Sequence, residues 1–506
     1  MLFDLYQVNM DARPSVVRPR LTADRPPEVC ANHFDECGPH YASGALTNIL
    51  RLVSRTGKAA IGSVIPGAAS RALIWRALCA APFAFLPGSA FAQSTVSHDS
   101  SGPPKLEARD LAAFFGGLIP YALAQGDIAG LSLAVVDGDS VIFQSGYGYA
   151  NVATGQKMTP FTPVRIASIT KTFTFTAVLQ LVERHKLDLD RDINAYLDFK
   201  IPYTFHKPIT LRNLMTHTAG FEDSSEHLFV HDISAMRNLG EYVRHNLPAR
   251  IYPPGRVIAY SNYGAALAGY IVERASGLPY AGYLEENIFS PLGMRDSTAS
   301  QPLPEKMASR LSKGYLLASN AARPMNWVEP APAGAMTSTA ADLARFAIAH
   351  LNGGSFRGHA ILLPKYVALM HQSAWRAIDN LNGYTLGFEE ENRNGLRIIG
   401  HGGDLQTFET DMHLLPDRKV GLIVLMNSAG SRGAAQKLRV AIFRAFLDRY
   451  FPAPPDEAKK RPGMPAPSIE PQWREPISLA AAPRATFCVS IIYLARCGSG
   501  SIRMAC

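Results

Sequence analysis

The stretch Arg165-Ile166-Ala167-Ser168-Ile169-Thr170-Lys171-Thr172-Phe173 decides how this chain is read. It opens a helical pattern in which Phe175, Val178, Leu179 and Val182 supply an apolar side at helical spacing. A serine at a helix start sits where free backbone N–H groups and the macrodipole favour negative charge. Lys171 follows three residues later, on the same face. A serine hydroxyl is a poor nucleophile until a base takes its proton. A lysine partly removed from water has a lowered pKa and can be that base. Taken alone, the same residues read equally well as an N-cap serine followed by a solvated lysine.

Two further clusters change the balance. Pro254-Gly255-Arg256-Val257-Ile258-Ala259-Tyr260-Ser261-Asn262-Tyr263-Gly264 again leads into a helix, with Ala265, Leu267, Ala268, Ile271 and Val272 on its apolar side. Tyr260 can serve as a general acid or base if a nearby cation lowers its pKa. The Asn262 amide can both donate to and accept from a substrate amide. The other reading is a Ser-Asn cap. The third cluster is Ile398-Ile399-Gly400-His401-Gly402-Gly403-Asp404, just before the last hairpin. Glycines on a strand edge admit a close backbone or ligand, and such an edge can supply an oxyanion-hole N–H. The other reading is a glycine turn with a surface histidine.

In this order and spacing the three clusters resemble the serine β-lactamase and penicillin-binding-protein superfamily, nearest its class C β-lactamase-related branch. That family carries Ser-x-x-Lys, Tyr-x-Asn, and Lys-Thr-Gly or His-x-Gly. Ile209-Thr-Leu-Arg-Asn-Leu-Met-Thr-His217-Thr-Ala-Gly-Phe221 and Gly334-Ala-Met-Thr-Ser338-Thr-Ala-Ala-Asp342 also match. The resemblance implies that Ser168 attacks a carbonyl and forms an acyl-enzyme. Lys171 and Tyr260 would share the proton traffic, and Asn262 would orient the substrate amide. The N–H groups of Ser168 and Asp404 would hold the oxyanion, with Gly402 and Gly403 forming the strand beside it. His401 would line the site, and His217 would be structural. Where many members carry a lysine this chain has His401, mostly neutral at pH 7. An ester, an amide or a D-configured peptide is therefore expected more than efficient β-lactam hydrolysis. No Glu-x-x-x-Asn segment stands between the first two clusters.

Around these clusters, residues 105–451 read as one regular domain. An apolar helical face (Leu106, Leu111, Phe115, Leu118, Ile119) precedes a hairpin turning at Asp137-Gly138-Asp139-Ser140. A second hairpin turns at Pro416-Asp417-Arg418, and an amphipathic helix follows over about 433–451. Strands at both ends with helices between predict an α/β (α+β) fold: a mixed, mainly antiparallel sheet flanked by helices, plus a helical subdomain. The resemblance implies the β-lactamase/transpeptidase-like version of it.

Outside that domain, residues 1–69 show no sustained period and are expected to lie outside the mature protein. Residues 70–92 have the layout of a secretory signal, two arginines, an apolar run and Ala90-Phe91-Ala92. This predicts an exported protein, periplasmic or secreted, with no stable membrane anchor after cleavage. Residues 452–506 read as a Pro-rich linker and an unassigned tail. All six cysteines lie at 30, 37, 79, 488, 497 and 506, so the central domain offers neither a thiol nucleophile nor a Cys-ligated metal. Cys30, His33, Cys37 and His40 lack standard zinc-finger spacing and are read as coincidence.

The net charge of +8 sits mostly at the ends, which argues against a nucleic-acid partner. No metal or cofactor is expected. The partner implied is a small-molecule or peptidoglycan-type substrate. The competing reading is a penicillin-recognising sensor with little turnover. A Ser-His-Asp hydrolase would need Gly-x-Ser-x-Gly, which Gly430-Ser431-Arg432-Gly433 does not supply.

Overall fold

A computed structural model describes residues 102–224 and 226–454. The leader at 70–92, the extension before it, the Cys30–His40 cluster and residues 455–506 lie outside the described residues.

The scaffold is an antiparallel sheet built from both ends of the domain. Its strands are β1 (Gly130–Asp137), β2 (Ser140–Asn151), β3 (Gln156–Lys157), β6 (Glu389–Glu390), β7 (Ile399–Leu405), β8 (Phe408–Leu415) and β9 (Val420–Met426). Their order across the sheet is β6-β7-β8-β9-β1-β2-β3. The first and last hairpins thus meet in the middle, where Leu131 pairs with Met426 and Val135 with Leu422. Gly138 takes φ +62° at the first turn, a backbone conformation glycine adopts without cost.

Alternation along the central strands divides the core in two. Leu131, Leu133 and Val135 face helices α1 (Ala108–Gly126) and α5 (Ala434–Tyr450), packing with Phe115, Ile119, Ile442 and Phe446. Ala134, Val136, Ile423 and Leu425 face the other layer. That layer holds α2 (Thr170–Glu183), α3 (Asn262–Ser276) and α4 (Ala340–Leu351). Both faces of β1 and β9 are therefore covered, and every residue of β9 is buried.

Helix α2 departs from the expected one-sided pattern, for every residue from Thr170 to Leu181 is buried. Its threonines make this possible. Thr172, Thr174 and Thr176 each return their hydroxyl to a carbonyl one turn back, at 2.8, 3.3 and 2.7 Å. The helix also begins later than the sequence pattern suggests. Residues Ala167–Ile169 form a separate 3-10 turn, because Ala167 sits at φ +48°. That is an uncommon conformation for alanine, costing about 1 kcal/mol or more.

Candidate active site

Ser168 lies in this strained turn, between strand β4 (Val164–Arg165), which pairs with β5 (Thr337–Ser338), and helix α2. The turn is clamped on both sides. Ile166 N–H donates to Met336 O at 3.0 Å, and Met336 N–H donates to Thr170 Oγ1 at 3.2 Å. From the sheet, Thr410 Oγ1 lies 3.1 Å from both Ile166 O and Gly403 O. Strand β7 approaches so closely that a Cβ on Gly403 would come within 2.3 Å of Ile166 O. Glycine at 403 is thus a steric requirement of placing the sheet edge against the serine turn.

Lys171 is completely buried, and its amine is shared among three oxygens. Nζ donates to Ser168 Oγ at 3.0 Å, Asn262 Oδ1 at 2.9 Å and Ala333 O at 2.7 Å. Burial pulls its pKa down to about 7, partly opposed by the negative charges of Asp223, Glu389 and Asp404. An amine in that range is available as a base at neutral pH. Tyr260 brings its ring within 4.8 Å of Nζ and shares a hydrogen bond with Ser168. Ser261 caps α3 by accepting from Gly264 N–H at 2.9 Å, which fixes Asn262 at the helix head.

The nearby cation does not lower the pKa of this phenol. Burial raises it well above 10, Ser168 partly offsets this, and the three carboxylates push the same way as burial. Tyr260 is therefore a neutral phenol, and Lys171 is the group of the pair able to accept a proton at neutral pH.

His401 lies on β7, two residues from Gly403 and on the same face. It is buried, not on the surface, with its ring 6.4 Å from that of Tyr260. Burial, with Lys171 adding to it, lowers its pKa to about 4. The Asp404 side chain turns to the opposite face, where Arg439 Nη1 lies 2.6 Å from its Oδ1. Glu409 shares that pocket; burial and Asp404 push its carboxyl up toward the neutral form, while Asp404 stays ionised. Arg439 also donates to Thr410 O at 3.0 Å, so the strand behind β7 is held from beneath. Only the backbone of Asp404 thus belongs to the side of the strand that faces the serine turn.

Ser168, Lys171, Tyr260, Asn262 and His401 are brought together, and Gly402, Gly403 and Asp404 form the strand beside them. His217 stacks on Tyr260, and its Nδ1 accepts from Ser261 N–H at 3.2 Å. Three participants had no sequence signal. Ala333 contributes only a carbonyl. Glu389 becomes a neighbour through the pairing of β6 with Gly400. Asp223 stands two residues beyond the matching stretch that ends at Phe221, and both the backbone and the side chain of Asn262 hydrogen-bond its carboxylate.

Comparison with known proteins agrees with this fold. The family profile described as Beta-lactamase matches residues 108–446. Protein flp of Staphylococcus aureus (strain N315) is 26% identical over 327 residues, covering 61% of this chain and 62% of its own length. The chain thus spans less than two thirds of that relative. Unguisins hydrolase ungD' of Aspergillus campestris is 26% identical over 372 residues, covering 68% of this chain and 66% of its own. Among solved structures, the octameric penicillin-binding protein homologue from Pyrococcus abyssi superimposes with a TM-score of 0.57 at 24% identity, over 68% of this chain and 79% of its own. That likeness speaks for the fold.

Proposed function

The chain belongs to the beta-lactamase family, and from that premise we propose that it is a serine hydrolase working through an acyl-enzyme on an ester, an amide or a D-amino-acid peptide. The observation that carries this reading is the 3.0 Å contact between the buried Lys171 amine and Ser168 Oγ. Neutral Lys171 takes the hydroxyl proton as Oγ attacks the substrate carbonyl carbon. The developing oxyanion faces the N–H groups of Ser168 and Asp404. The proton then moves, by way of the Tyr260 phenol, to the leaving group as the carbonyl–leaving-group bond breaks. Water releases the acyl group with the same residues acting in reverse. Asn262, held by Lys171 on one side and Asp223 on the other, presents its amide to the substrate. Export through the 70–92 leader is part of the same proposal, and so is the absence of a nucleic-acid partner.

The test is covalent labelling of the purified 93–506 fragment with a fluorophosphonate and a fluorescent penicillin, alongside turnover of p-nitrophenyl esters, D-amino-acid anilides and nitrocefin. Fluorophosphonate labelling that Ser168→Ala abolishes, together with turnover of an ester or anilide, supports the hydrolase. A long-lived penicillin adduct without turnover would instead support the sensor reading. No labelling by either reagent would remove both.

A further inference from the structure

Behind the strand that borders the serine turn lies a row of charges that the proposed chemistry does not use. Asp404 and Glu409 stand directly opposite each other in the β7–β8 ladder, one pair before the turn at Gln406-Thr407. Partners in register share a face of the sheet, so the two carboxyls meet. Arg439 reaches them from α5, its Nη1 2.6 Å from Asp404 Oδ1 and 3.4 Å from Glu409 Oε2. Its Nε lies 3.6 Å from Asp411 Oδ2, and Asp411 in turn faces His413 Nε2 at 3.5 Å. Glu391, from the segment between β6 and β7, ends the row at 2.5 Å from His413 Nδ1. From the other face of β7, His401 and Lys171 also feel the charge of Asp404.

Four carboxyls here face two cations, Arg439 and the imidazolium of His413, which Glu391 and Asp411 keep protonated against burial. Like charges directly opposite in a ladder repel, so Asp404 and Glu409 do not both ionise at neutral pH. Arg439 Nη1 donates to Thr410 O, and neither Asp404 Oδ1 nor Glu409 Oε2 receives a hydrogen bond from the other described side chains. A proton between the two carboxyls satisfies both, with Glu409 donating and Asp404 accepting. Burial and then Asp404 push Glu409 up to about 10. Burial opposes ionisation of Asp404 as well, but the Glu409 hydrogen bond and Arg439 outweigh it. Strand β6 pairs with β7 only at Ile399 and Gly400, so beyond them β7 leans on β8 alone. Asp404 is thus held from across the hairpin and from beneath.

We infer that the proton shared by Glu409 and Asp404 clasps the tip of the β7–β8 hairpin and so fixes the Asp404 N–H against the oxyanion, which makes Glu409 a positioning residue for the reaction. This rests on the serine-hydrolase reading above, which gives that N–H to the oxyanion. When hydroxide removes the shared proton, two carboxylates face each other over one arginine, and their repulsion parts the tip.

The second-order rate of Ser168 labelling by a fluorophosphonate, whose phosphoryl oxygen takes the oxyanion position, tests this between pH 7 and 11. Near-ultraviolet circular dichroism follows the fold at each pH. The unsubstituted protein should lose on the order of tenfold to a hundredfold in rate as Glu409 ionises at about 10, while still folded. Glu409→Gln, whose amide donates to Asp404 with no proton to lose, should retain most of the neutral rate and abolish the alkaline fall. Glu409→Ala should be slow at every pH. His413→Gln should keep the fall, because the imidazolium is not the clasp. Should Glu409→Gln not fold, His413→Gln carries the test: a fall that persists supports the carboxyl pair, and one that vanishes overturns it. A rate that stays flat to pH 11, a fall that tracks unfolding, or one that folded Glu409→Gln leaves in place would also overturn the inference, with Ser168 still the nucleophile. Failure to label at any pH would overturn the hydrolase reading and this inference with it.

Discussion

The imidazole of His217 lies against the phenol ring of Tyr260, with centroids 4.3 Å apart and planes inclined by 29°. His217 is 2% exposed, and its Nδ1 receives the N–H of Ser261, the residue between Tyr260 and Asn262. It therefore holds two residues of the site while remaining outside the chemistry. His217→Ala should cost about 2 kcal/mol of stability, from lost packing and an orphaned N–H. It should also lower kcat about tenfold through a misplaced phenol. His217→Phe should regain most of the stability and little of the rate. Denaturant melts and steady-state kinetics on both variants decide. A rate loss that tracks stability alone would make His217 a packing residue only.

Activity should follow the protonation of Lys171. Burial lowers its pKa to about 7, so below that pH the amine is already protonated and cannot take the serine proton. We expect kcat/KM to fall about tenfold per pH unit on the acid side and to level off above neutrality. Lys171→Ala and the always-charged Lys171→Arg should each nearly abolish activity. Tyr260→Phe should slow turnover by about 10²–10⁴ while keeping the acid limb. An acid limb that survives in a residually active Lys171→Ala variant would mean that the limb belongs to another group.

Gly403→Ala should be far more damaging than its size suggests. The added methyl meets the Ile166 carbonyl at 2.3 Å and Thr410 Oγ1 at 2.4 Å. Backbone cannot swing aside as a side chain can, so β7 must move off the serine turn. The expected cost is about 1–3 kcal/mol together with loss of most Ser168 labelling. Gly402→Ala is the control, because its nearest neighbour is the Asp411 carboxylate at 3.0 Å. Equal effects from the two substitutions would show that β7 tolerates displacement.

Acid should destabilise the domain before its carboxylates titrate. Burial lowers the pKa of His350 to about 3 and that of His401 to about 4, and drives those of His217 and His371 well down. Each imidazole is neutral when folded and takes up a proton when unfolded below about 6.5. The stability it contributes is complete above that pH and drains away as pH falls towards the folded value. For His350 alone the loss by pH 5 is about 2 kcal/mol. His413 runs the opposite way. Glu391 and Asp411 overcome its burial and raise it to about 10, so its contribution is complete below 6.5 and fades towards pH 10. Urea melts at pH 7.5 and 5 check the first trend, and His350→Gln should flatten it.

The parts of this structure that were legible in the sequence are those written as local pattern. Both hairpins, helices α1, α3 and α5 and the three clusters could be read because alternation, helical spacing and turn residues are near-neighbour properties. The Beta-lactamase match and the antiparallel sheet agree with that reading. What could not be read depends on contacts made far along the chain. The left-handed Ala167 is imposed by clamps from Thr410 and Met336, which no property of alanine announces. The burial of His401 comes from elements distant in sequence, so the glycine-rich stretch around it does not announce it. The raised pKa of Tyr260 is hidden for a similar reason. A cation beside it was foreseeable from Lys171, but the desolvation and the carboxylates that outweigh it were not.

The pairing of Leu131 with Met426 at the middle of the sheet has a bearing on how the molecule comes into being. Synthesis runs from one end, so the central strand β1 waits for nearly the entire domain before its neighbour β9 exists. The entropy of closing so long a loop must be met before that pair can contribute, which makes maturation slow and late. Until then, a nascent chain exposes the apolar flank of β1 to whatever factor receives it. Truncation before Val420 would leave every upstream residue translated and the sheet without its keystone.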